Sequence, residues 1–220
     1  MATKISFINS IAIICDKVGA DILKVQEGLG LDPRIGKSFL QAGLGYGGSC
    51  FPKDTQALIA FAKRQNYDFD FLKQVDRINK EQINYLVSKL EKVLGNLKNK
   101  TIAILGLAFK PDTDDLREAR SLLLMQQLLA KKARVRAHDP VAIVNAQKLI
   151  KETVYSDNVY QSLKGAEALL LVTEWPQYSK LDFLKIKKIM KKPIIIDGRN
   201  FLPKERLKKL GFIYEGIGTR

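Results

Sequence analysis

The stretch TIAILGLAFK, residues 101–110, decides the fold of the second half of this 220-residue chain. Its apolar run, predicted as a strand over Thr101–Leu107, begins a series of short apolar runs that alternate with helical segments. Five further strands are predicted at Arg134–His138, Thr153–Ser156, Ala168–Val172, Pro193–Asp197 and Phe212–Glu215. Strands that alternate with helices predict an α/β fold with a Rossmann-like, doubly wound parallel sheet, whose ligands bind at the carboxyl ends of the strands.

The first half of the chain has the periodicity of helices, interrupted by one loop. Helices are predicted at about Thr3–Val18, Asp21–Leu29, Pro52–Gln65 and Phe71–Leu94. Apolar residues recur at helical spacing in the last of these, and Gly95 ends it. The sequence therefore predicts an all-helical domain over residues 1–97 and an α/β domain over residues 98–220.

The loop sequence GYGGSCFPKD, residues 45–54, sets a cysteine immediately before a helix start. Glycines let the backbone approach a ligand closely, and Pro52 suits a first helical turn. A thiol at that position faces the positive end of the helix dipole, and Asp54 can bring its carboxylate near the sulfur one turn later. The pattern predicts a nucleophile, Cys50, with a polar partner. The spacing alone leaves open a simple turn that carries a small buried cysteine.

The net charge of +14 suggests an anionic partner such as a nucleic acid, a membrane surface or a phosphorylated small molecule. The densest lysine clusters, at residues 185–192 and 204–209, have the spacing of solvated faces of amphipathic helices. We therefore expect no nucleic-acid binding. No apolar run approaches the roughly 18 residues that span a membrane, so no membrane association is expected.

Two cysteines cannot form a disulfide framework, which favours a reducing compartment and a cytoplasmic location. One histidine, His138, excludes most zinc ligand sets, and we expect no metal. Residues 4–20 have the charged start and apolar run of a signal peptide. Asn9 and Ser10 interrupt that run, and its apolar residues fall on one helical stripe, which favours an amphipathic helix instead.

Two basic residues follow predicted strands of the α/β domain. Lys110 stands where a dinucleotide-binding fold would carry G-x-G-x-x-G, and that pattern is absent at this point. Arg199 follows the strand predicted over Pro193–Asp197. Positive groups at the mouth of a doubly wound sheet are suited to bind a phosphate, although the spacing of Lys110 and of Arg199 fits a surface residue in a loop equally well.

Together these motifs resemble the UDP-glucose/GDP-mannose dehydrogenase family of nucleotide-sugar dehydrogenases, and within it most closely the UDP-glucose 6-dehydrogenases. The matching segments follow the family order across nearly the whole chain: ATKISFIN at 2–9, DPRIG at 32–36, the Cys50 loop, residues 106–110 with Arg117-Glu118, and DGR at 197–199.

The resemblance implies that a sugar C6 hydroxyl is oxidised to a carboxylate in two hydride transfers to NAD. Cys50 would form a thiohemiacetal and then a thioester, and Asp54 would position or activate water. Lys53 and Arg117 match positions near the NAD. Arg34 matches a residue that reaches the substrate of the neighbouring subunit in a homodimer formed through the helical domain. The substrate-binding positions implied in this way are Arg34, Phe39, Leu40, Gln41, Ala42, Gly43, Gly47, Lys110 and Arg199.

The family also has an N-terminal NAD-binding Rossmann domain and a lysine–asparagine pair that would fall before Met1. The resemblance therefore implies the central helical and C-terminal UDP-sugar-binding domains only, inactive without the NAD domain. Two alternatives remain at this point. One is a fragment of a GDP-mannose or UDP-N-acetylmannosamine dehydrogenase, and the other is a non-catalytic module for nucleotide-sugar binding or assembly.

Overall fold

A computed structural model describes residues 1–219 of the chain. Its first half contains the helices α1 (Ala2–Val18), α2 (Ile22–Leu31), α3 (Phe51–Arg64) and α4 (Asp70–Leu94). Gly95 ends α4 with a positive φ of 74°, a conformation that glycine adopts at little cost. None of the helices within residues 1–219 is long and apolar enough to cross a membrane.

The second half is built on a sheet of six parallel strands. They are β1 (Thr101–Leu105), β2 (Arg134–His138), β3 (Val154–Tyr155), β4 (Ala168–Leu171), β5 (Ile194–Asp197) and β6 (Ile213–Gly216). Their order is β3-β2-β1-β4-β5-β6, so the direction of winding reverses between β1 and β4. A doubly wound sheet binds ligands at such a reversal. The six parallel strands confirm the predicted α/β fold with a parallel sheet.

Helices cover both faces of this sheet. They are α5 (Arg120–Ala130), α6 (Ile143–Leu149), α7 (Val159–Leu163), a 3₁₀ helix (Pro176–Lys180), α8 (Phe183–Ile189) and α9 (Lys204–Lys209). Alternate strand residues enter two separate cores: Ile102 and Ile104 face one, and Ala103 and Leu105 face the other. The first core also contains side chains of α1 and α4, so the helical half packs on one face of the sheet. The predicted division at residues 97 and 98 stays a prediction.

The first strand ends at Leu105 rather than at the predicted Leu107. The backbone N–H groups of Leu107 and Ala108 leave the ladder and donate to the buried Asp139 carboxylate, at 2.6 and 3.2 Å. This carboxylate, which follows β2, turns the chain away at the carboxyl edge of the sheet. The local sequence of β1 does not predict this early end of the strand, because Asp139 belongs to a different strand connection.

Candidate functional site

The cysteine loop, residues 42–50, crosses the carboxyl edge of the sheet. Its first half is joined to the end of β5, because the Leu44 N–H donates to the Gly198 carbonyl at 3.1 Å. Its second half is joined to the β1–α5 connection, because the Gly48 N–H donates to the Arg117 carbonyl at 2.9 Å. The loop thus connects the helical half of the chain to the point where the winding of the sheet reverses.

Two glycines allow this close seating. A Cβ on Gly43 would come within 2.7 Å of the Gly198 carbonyl oxygen, and a Cβ on Gly47 would clash with the Glu118 carbonyl. Both positions therefore require glycine for backbone approach. This steric requirement is separate from the substrate-binding role predicted for Gly43 and Gly47, which stays a prediction.

Cys50 occupies the N-cap position of α3, with Pro52 in the first turn of the helix. Its side chain is exposed, whereas the other cysteine, Cys15, is buried. The Ser49 hydroxyl lies 3.8 Å from the Cys50 sulfur. The thiol is therefore accessible to a ligand and lies at the positive end of a helix dipole.

Lys53 and Asp54 form an ion pair of 2.7 Å beside the cysteine, and both side chains are exposed. The hydrogen bond to Asp54 raises the pKa of Lys53, and the Cys50 group acts in the same direction. The contact described for the Asp54 carboxylate is thus with Lys53, not with the sulfur. Its predicted role toward water stays a prediction.

Arg117 lies on the other side of the loop. Its guanidinium binds the Asp115 carboxylate with two nitrogens, at 3.0 and 2.7 Å, and this hydrogen bonding lowers the pKa of Asp115. The side chain remains 70% exposed, and its pKa is raised mainly by the hydrogen bond to Asp115 and to a smaller extent by Cys50. Lys53 and Arg117 are therefore two exposed cations within electrostatic reach of the thiol.

Arg199 links the sheet edge to the loop. Its Nε donates to the Val172 carbonyl at 2.7 Å, and its Nη1 donates to the Gly45 carbonyl at 3.2 Å. The Glu174 carboxylate lies 3.2 Å from the same Nε without the alignment of a hydrogen bond. The half-buried guanidinium thus bonds backbone at the end of β4 and in the cysteine loop; we call the cleft lined by Val172, Arg199 and residues 42–50 the cysteine crevice.

The Arg199 turn is held by the buried carboxylate of Asp197. Asp197 accepts hydrogen bonds from the backbone N–H groups of Arg199, Phe201 and Leu202 and from the Tyr214 hydroxyl. Burial raises the pKa of Asp197, and these hydrogen bonds oppose the rise. Four donors on one carboxylate fix the direction in which Arg199 leaves β5.

Lys110 is exposed on the β1–α5 connection, with its Nζ 5.5 Å from the centre of the Phe109 ring. The Phe109 ring in turn packs on the glycine backbone at Gly48. Lys110 and Arg199 therefore follow β1 and β5, the two strands on either side of β4, and both are positive groups at the carboxyl edge of the sheet.

The remaining predicted residues are spread more widely. Phe39 packs its ring edge-on against Phe51, 6.0 Å between centroids, beside the cysteine. Gln41 is exposed, Ala42 is buried, and Leu40 and Arg34 line a groove of about 620 Å³ between α1 and α4. The exposed Arg34 pairs with Asp32 at 2.6 Å and is not part of the cysteine crevice.

Sequence reasoning missed Asn79 of α4, and it named Glu118 in a matching segment without giving it a role; both residues contact the loop. Asn79 had a visible signal, since it is a polar residue on the buried stripe formed by Val75, Ile83 and Leu86. Glu118 had none, because its backbone carbonyl makes the contact and any residue could supply one.

Comparison with known proteins gives a consistent set of matches. The central domain of the UDP-glucose/GDP-mannose dehydrogenase family matches residues 1–81, and the UDP binding domain of the same family matches residues 103–204. The chain is 47% identical to UDP-glucose 6-dehydrogenase TuaD of Bacillus subtilis over 99% of its own length and 48% of that protein. It therefore spans about half the length of the curated relatives it matches.

Two solved structures extend the comparison. A UDP-glucose dehydrogenase from Pyrobaculum islandicum superposes with a TM-score of 0.89 and 39% identity, over 100% of this chain and 48% of that one. A UDP-D-ManNAc dehydrogenase from Pyrococcus horikoshii superposes with a TM-score of 0.82 and 28% identity, over 99% and 49%.

Proposed function

The chain belongs to the UDP-glucose/GDP-mannose dehydrogenase family, and we propose that it supplies the substrate site and the nucleophile of an NAD-dependent UDP-glucose 6-dehydrogenase. One observation carries the proposal: Cys50, with its exposed thiol, occupies the N-cap position of α3 on a loop whose backbone is bound to the end of β5 beside Arg199. That arrangement brings a nucleophile to the edge where a doubly wound sheet binds nucleotides.

The substrate in this proposal is UDP-glucose. Arg199 and Lys110 suit the diphosphate, because a guanidinium and an ammonium at strand ends bind phosphate oxygens. The named relatives support the glucose enzyme, since identity to the two UDP-glucose dehydrogenases is 47% and 39%, against 28% for the UDP-D-ManNAc enzyme. A GDP-mannose or UDP-N-acetylmannosamine substrate is the alternative within the family.

The chemistry proposed for Cys50 is covalent capture of the sugar aldehyde. The thiolate attacks C6, a C–S bond forms, and the carbonyl electron pair moves to oxygen, which takes up a proton. Loss of the C6 hydride and of the hydroxyl proton from this adduct would give the thioester, with the hydride going to NAD when it is bound. Water then attacks the same carbon, the C–S bond breaks, and the thiolate leaves to give the carboxylic acid. A thiolate suits both steps because it is strongly nucleophilic and a good leaving group. Asp54, one helical turn from Cys50, is the group proposed to take the proton of that water.

NAD, when bound, would accept the two hydrides, and this chain offers Lys53 and Arg117 toward it. Their fit rests on two exposed cationic side chains near Cys50, which suit an anionic dinucleotide. We expect the 220-residue chain to bind substrate but to oxidise it only when an NAD-binding domain is supplied. The two unpaired cysteines fit a reducing, cytoplasmic location.

A homodimer is part of the same proposal. Arg34 is exposed and lies on the α1–α4 groove, outside the cysteine crevice of its own chain. A guanidinium in that position fits a role in the substrate site of a second copy. Sedimentation velocity on the purified chain, with and without UDP-glucose, tests the dimer directly, and a single monomeric species throughout would contradict it.

Substrate binding is tested by calorimetric titration with UDP-glucose and UDP-glucuronate, with GDP-mannose as the control ligand. We expect saturable binding of the two uridine compounds and none of GDP-mannose at the same concentrations. Equal binding of all three, or a preference for GDP-mannose, would reject the substrate assignment.

Catalysis is tested by adding a separately expressed NAD-binding domain and following NADH absorbance. We expect two NADH per UDP-glucose with the parent chain and at most one with Cys50→Ser, because the first oxidation precedes capture of the aldehyde by the thiolate. The chain spans about half of its relatives, and this fact favours a second candidate, a non-catalytic binding module. A folded mixture that binds UDP-glucose but forms no NADH would support that candidate.

A further inference from the structure

We propose that Asn79 is a positioning residue that fixes the Cys50 thiol relative to a bound nucleotide sugar. The inference rests on the function proposed above and adds a residue of the helical half to it. Asn79 lies in the middle of α4 and is only 2% exposed. It bonds the cysteine loop from α4, whereas Gly198 and Arg199 bond the same loop from the strand ends.

The Asn79 carboxamide binds both backbone groups of one loop residue. Its Oδ1 accepts from the Tyr46 N–H at 2.8 Å, and its Nδ2 donates to the Tyr46 carbonyl at 3.1 Å. Both bonds are buried, where water does not compete with them. The side chain thus pairs with Tyr46 as a neighbouring β-strand would, and a shift of the loop would break two buried hydrogen bonds at once.

The fit leaves the loop no room to move toward α4. Gly45 has a φ of 86°, and a Cβ at this position would clash with the Asn79 side-chain oxygen. The backbone of Asn79 is held as well, since the buried Arg120 guanidinium donates to its carbonyl at 3.4 Å. Arg120 of α5 therefore holds the Asn79 backbone in place.

A packing contact links Tyr46, which Asn79 holds, to the residue that follows the cysteine. The Tyr46 ring meets the Phe51 ring edge-on, with 5.6 Å between centroids, and Phe51 is covalently next to Cys50. Tyr46 is 6% exposed, so its ring is a fixed surface. Holding Tyr46 thereby fixes the point from which α3 and its N-cap cysteine start.

The nucleotide end of the loop is held by different contacts. The Gly43 N–H donates to Asn9, the Leu44 N–H donates to Gly198, and Arg199 binds the Gly45 carbonyl. None of these bonds includes the Asn79 side chain. Removing that side chain should therefore misplace the thiol more than it weakens nucleotide binding.

The test uses the 220-residue chain and a uridine diphosphate whose β-phosphate carries a bromoacetamidoethyl group. In the labelling reaction the Cys50 thiolate attacks the bromomethylene carbon, a C–S bond forms and bromide leaves. Labelling at increasing probe concentration gives an inhibitor constant, which reports nucleotide binding, and a saturated rate constant, which reports alignment of the thiol. Untethered iodoacetamide measures the reactivity of the thiol itself, and peptide mapping separates Cys50 from Cys15.

For Asn79→Ala we expect the saturated labelling rate to fall by about tenfold, because small misplacements of reacting atoms are costly. The inhibitor constant should change by less than about threefold, and iodoacetamide labelling by less than about twofold. The matched control is Asn84→Ala on the same helix, whose side chain accepts from Gln127 at 2.7 Å and does not bond the loop. It should label like the parent.

If circular dichroism shows that Asn79→Ala does not fold, the same labelling constants are measured for Asn79→Asp. This variant has the same shape and keeps the acceptor for the Tyr46 N–H. An unchanged saturated rate in a folded Asn79 variant would overturn the inference. So would equal losses in binding, iodoacetamide labelling and the saturated rate, which would mean that the whole loop collapses. If the parent chain shows no saturable labelling at Cys50, the proposed function fails and this inference fails with it.

Discussion

At the scale of single residues, the Arg199 side chain combines two roles, backbone hydrogen bonding and proposed phosphate binding. Its Nε and Nη1 donate to the Val172 and Gly45 carbonyls, and its charge is proposed to bind the substrate diphosphate. A guanidinium can do both, since it has five donors in a planar array, whereas an ammonium is a single point charge. The side chain therefore couples the shape of the cysteine loop to the charge of the crevice.

Arg199→Lys should weaken UDP-glucose binding by about tenfold or more, even though the charge is retained, because charge-assisted hydrogen bonds are worth about 1.5–3 kcal/mol. Calorimetric titration measures the effect. The control is Arg134→Lys, an exposed residue at the start of β2 and thus at the opposite edge of the sheet. An Arg199→Lys affinity equal to that of the parent would mean that the bonds to Val172 and Gly45 are dispensable for binding.

Sequence patterns predict some residues of the crevice and miss others for a physical reason. The helix start after Cys50 is local, because Pro52 and the glycines act on their own backbone. The orientation of Asp54 is not local in the same way, since its carboxylate can turn to the sulfur or to Lys53, and the structure shows Lys53. Asn79 contacts a loop more than thirty residues away, which no local pattern encodes.

At the scale of elements, a buried ion pair joins α1, α4 and β6. The Lys89 ammonium of α4 lies 2.7 Å from the Asp16 carboxylate of α1 and 3.4 Å from the Glu215 carboxylate of β6. Asp16 also accepts from the Tyr85 hydroxyl at 2.5 Å. Such a pair contributes less to net stability than to the choice of one packing arrangement, because both charges are removed from water.

Breaking this pair from one side should be costly. Lys89→Met leaves the buried Asp16 carboxylate without its cation, and we expect the free energy of unfolding to fall by about 3 kcal/mol. Urea denaturation followed by circular dichroism measures it. Lys92→Met, at an exposed position one turn later, should change it by less than about 0.5 kcal/mol. Similar values for the two variants would show that the pair is not buried in solution.

Element positions were predictable where one segment decides them. The apolar stripe of α4 and the strand–helix alternation depend on periodicity within a segment, and both elements occur close to the predicted bounds. The Lys89 side chain is buried because it pairs with Asp16 and Glu215, and both of these residues belong to other elements. From a local sequence pattern, the charge of a lysine predicts an exposed side chain, because the pattern does not show its ion-pair partners.

At the scale of the whole molecule, the single histidine gives stability a defined pH dependence. His138 is buried at the end of β2, and its Nδ1 lies 2.9 Å from the Tyr178 hydroxyl. Burial lowers the pKa of His138 below its usual 6.5, while Asp139 and Asp157 oppose the shift. The unfolded chain therefore binds a proton more readily than the folded chain at this site.

This contribution to stability should be fully present above about pH 6.5 and lost as the pH falls through the lower folded-state pKa. Urea denaturation at pH 7.5, 6.5 and 5.5 should show a decrease in the free energy of unfolding toward acid. His138→Gln, which has no titrating ring, should show a smaller decrease over the same interval. An equal slope in both proteins would assign the pH dependence to carboxylates instead.

The contact between Gly218 and α1 has a consequence for the order in which the chain is made. The Gly218 N–H donates to the Asp16 carboxylate at 3.0 Å, across 202 positions of sequence, and its carbonyl accepts from the Ile22 N–H at 2.9 Å. During synthesis α1 emerges from the ribosome long before residue 218 exists. The helical half therefore cannot make these two contacts until residue 218 has been translated. Long-range closure of this kind slows folding and lengthens dependence on chaperones.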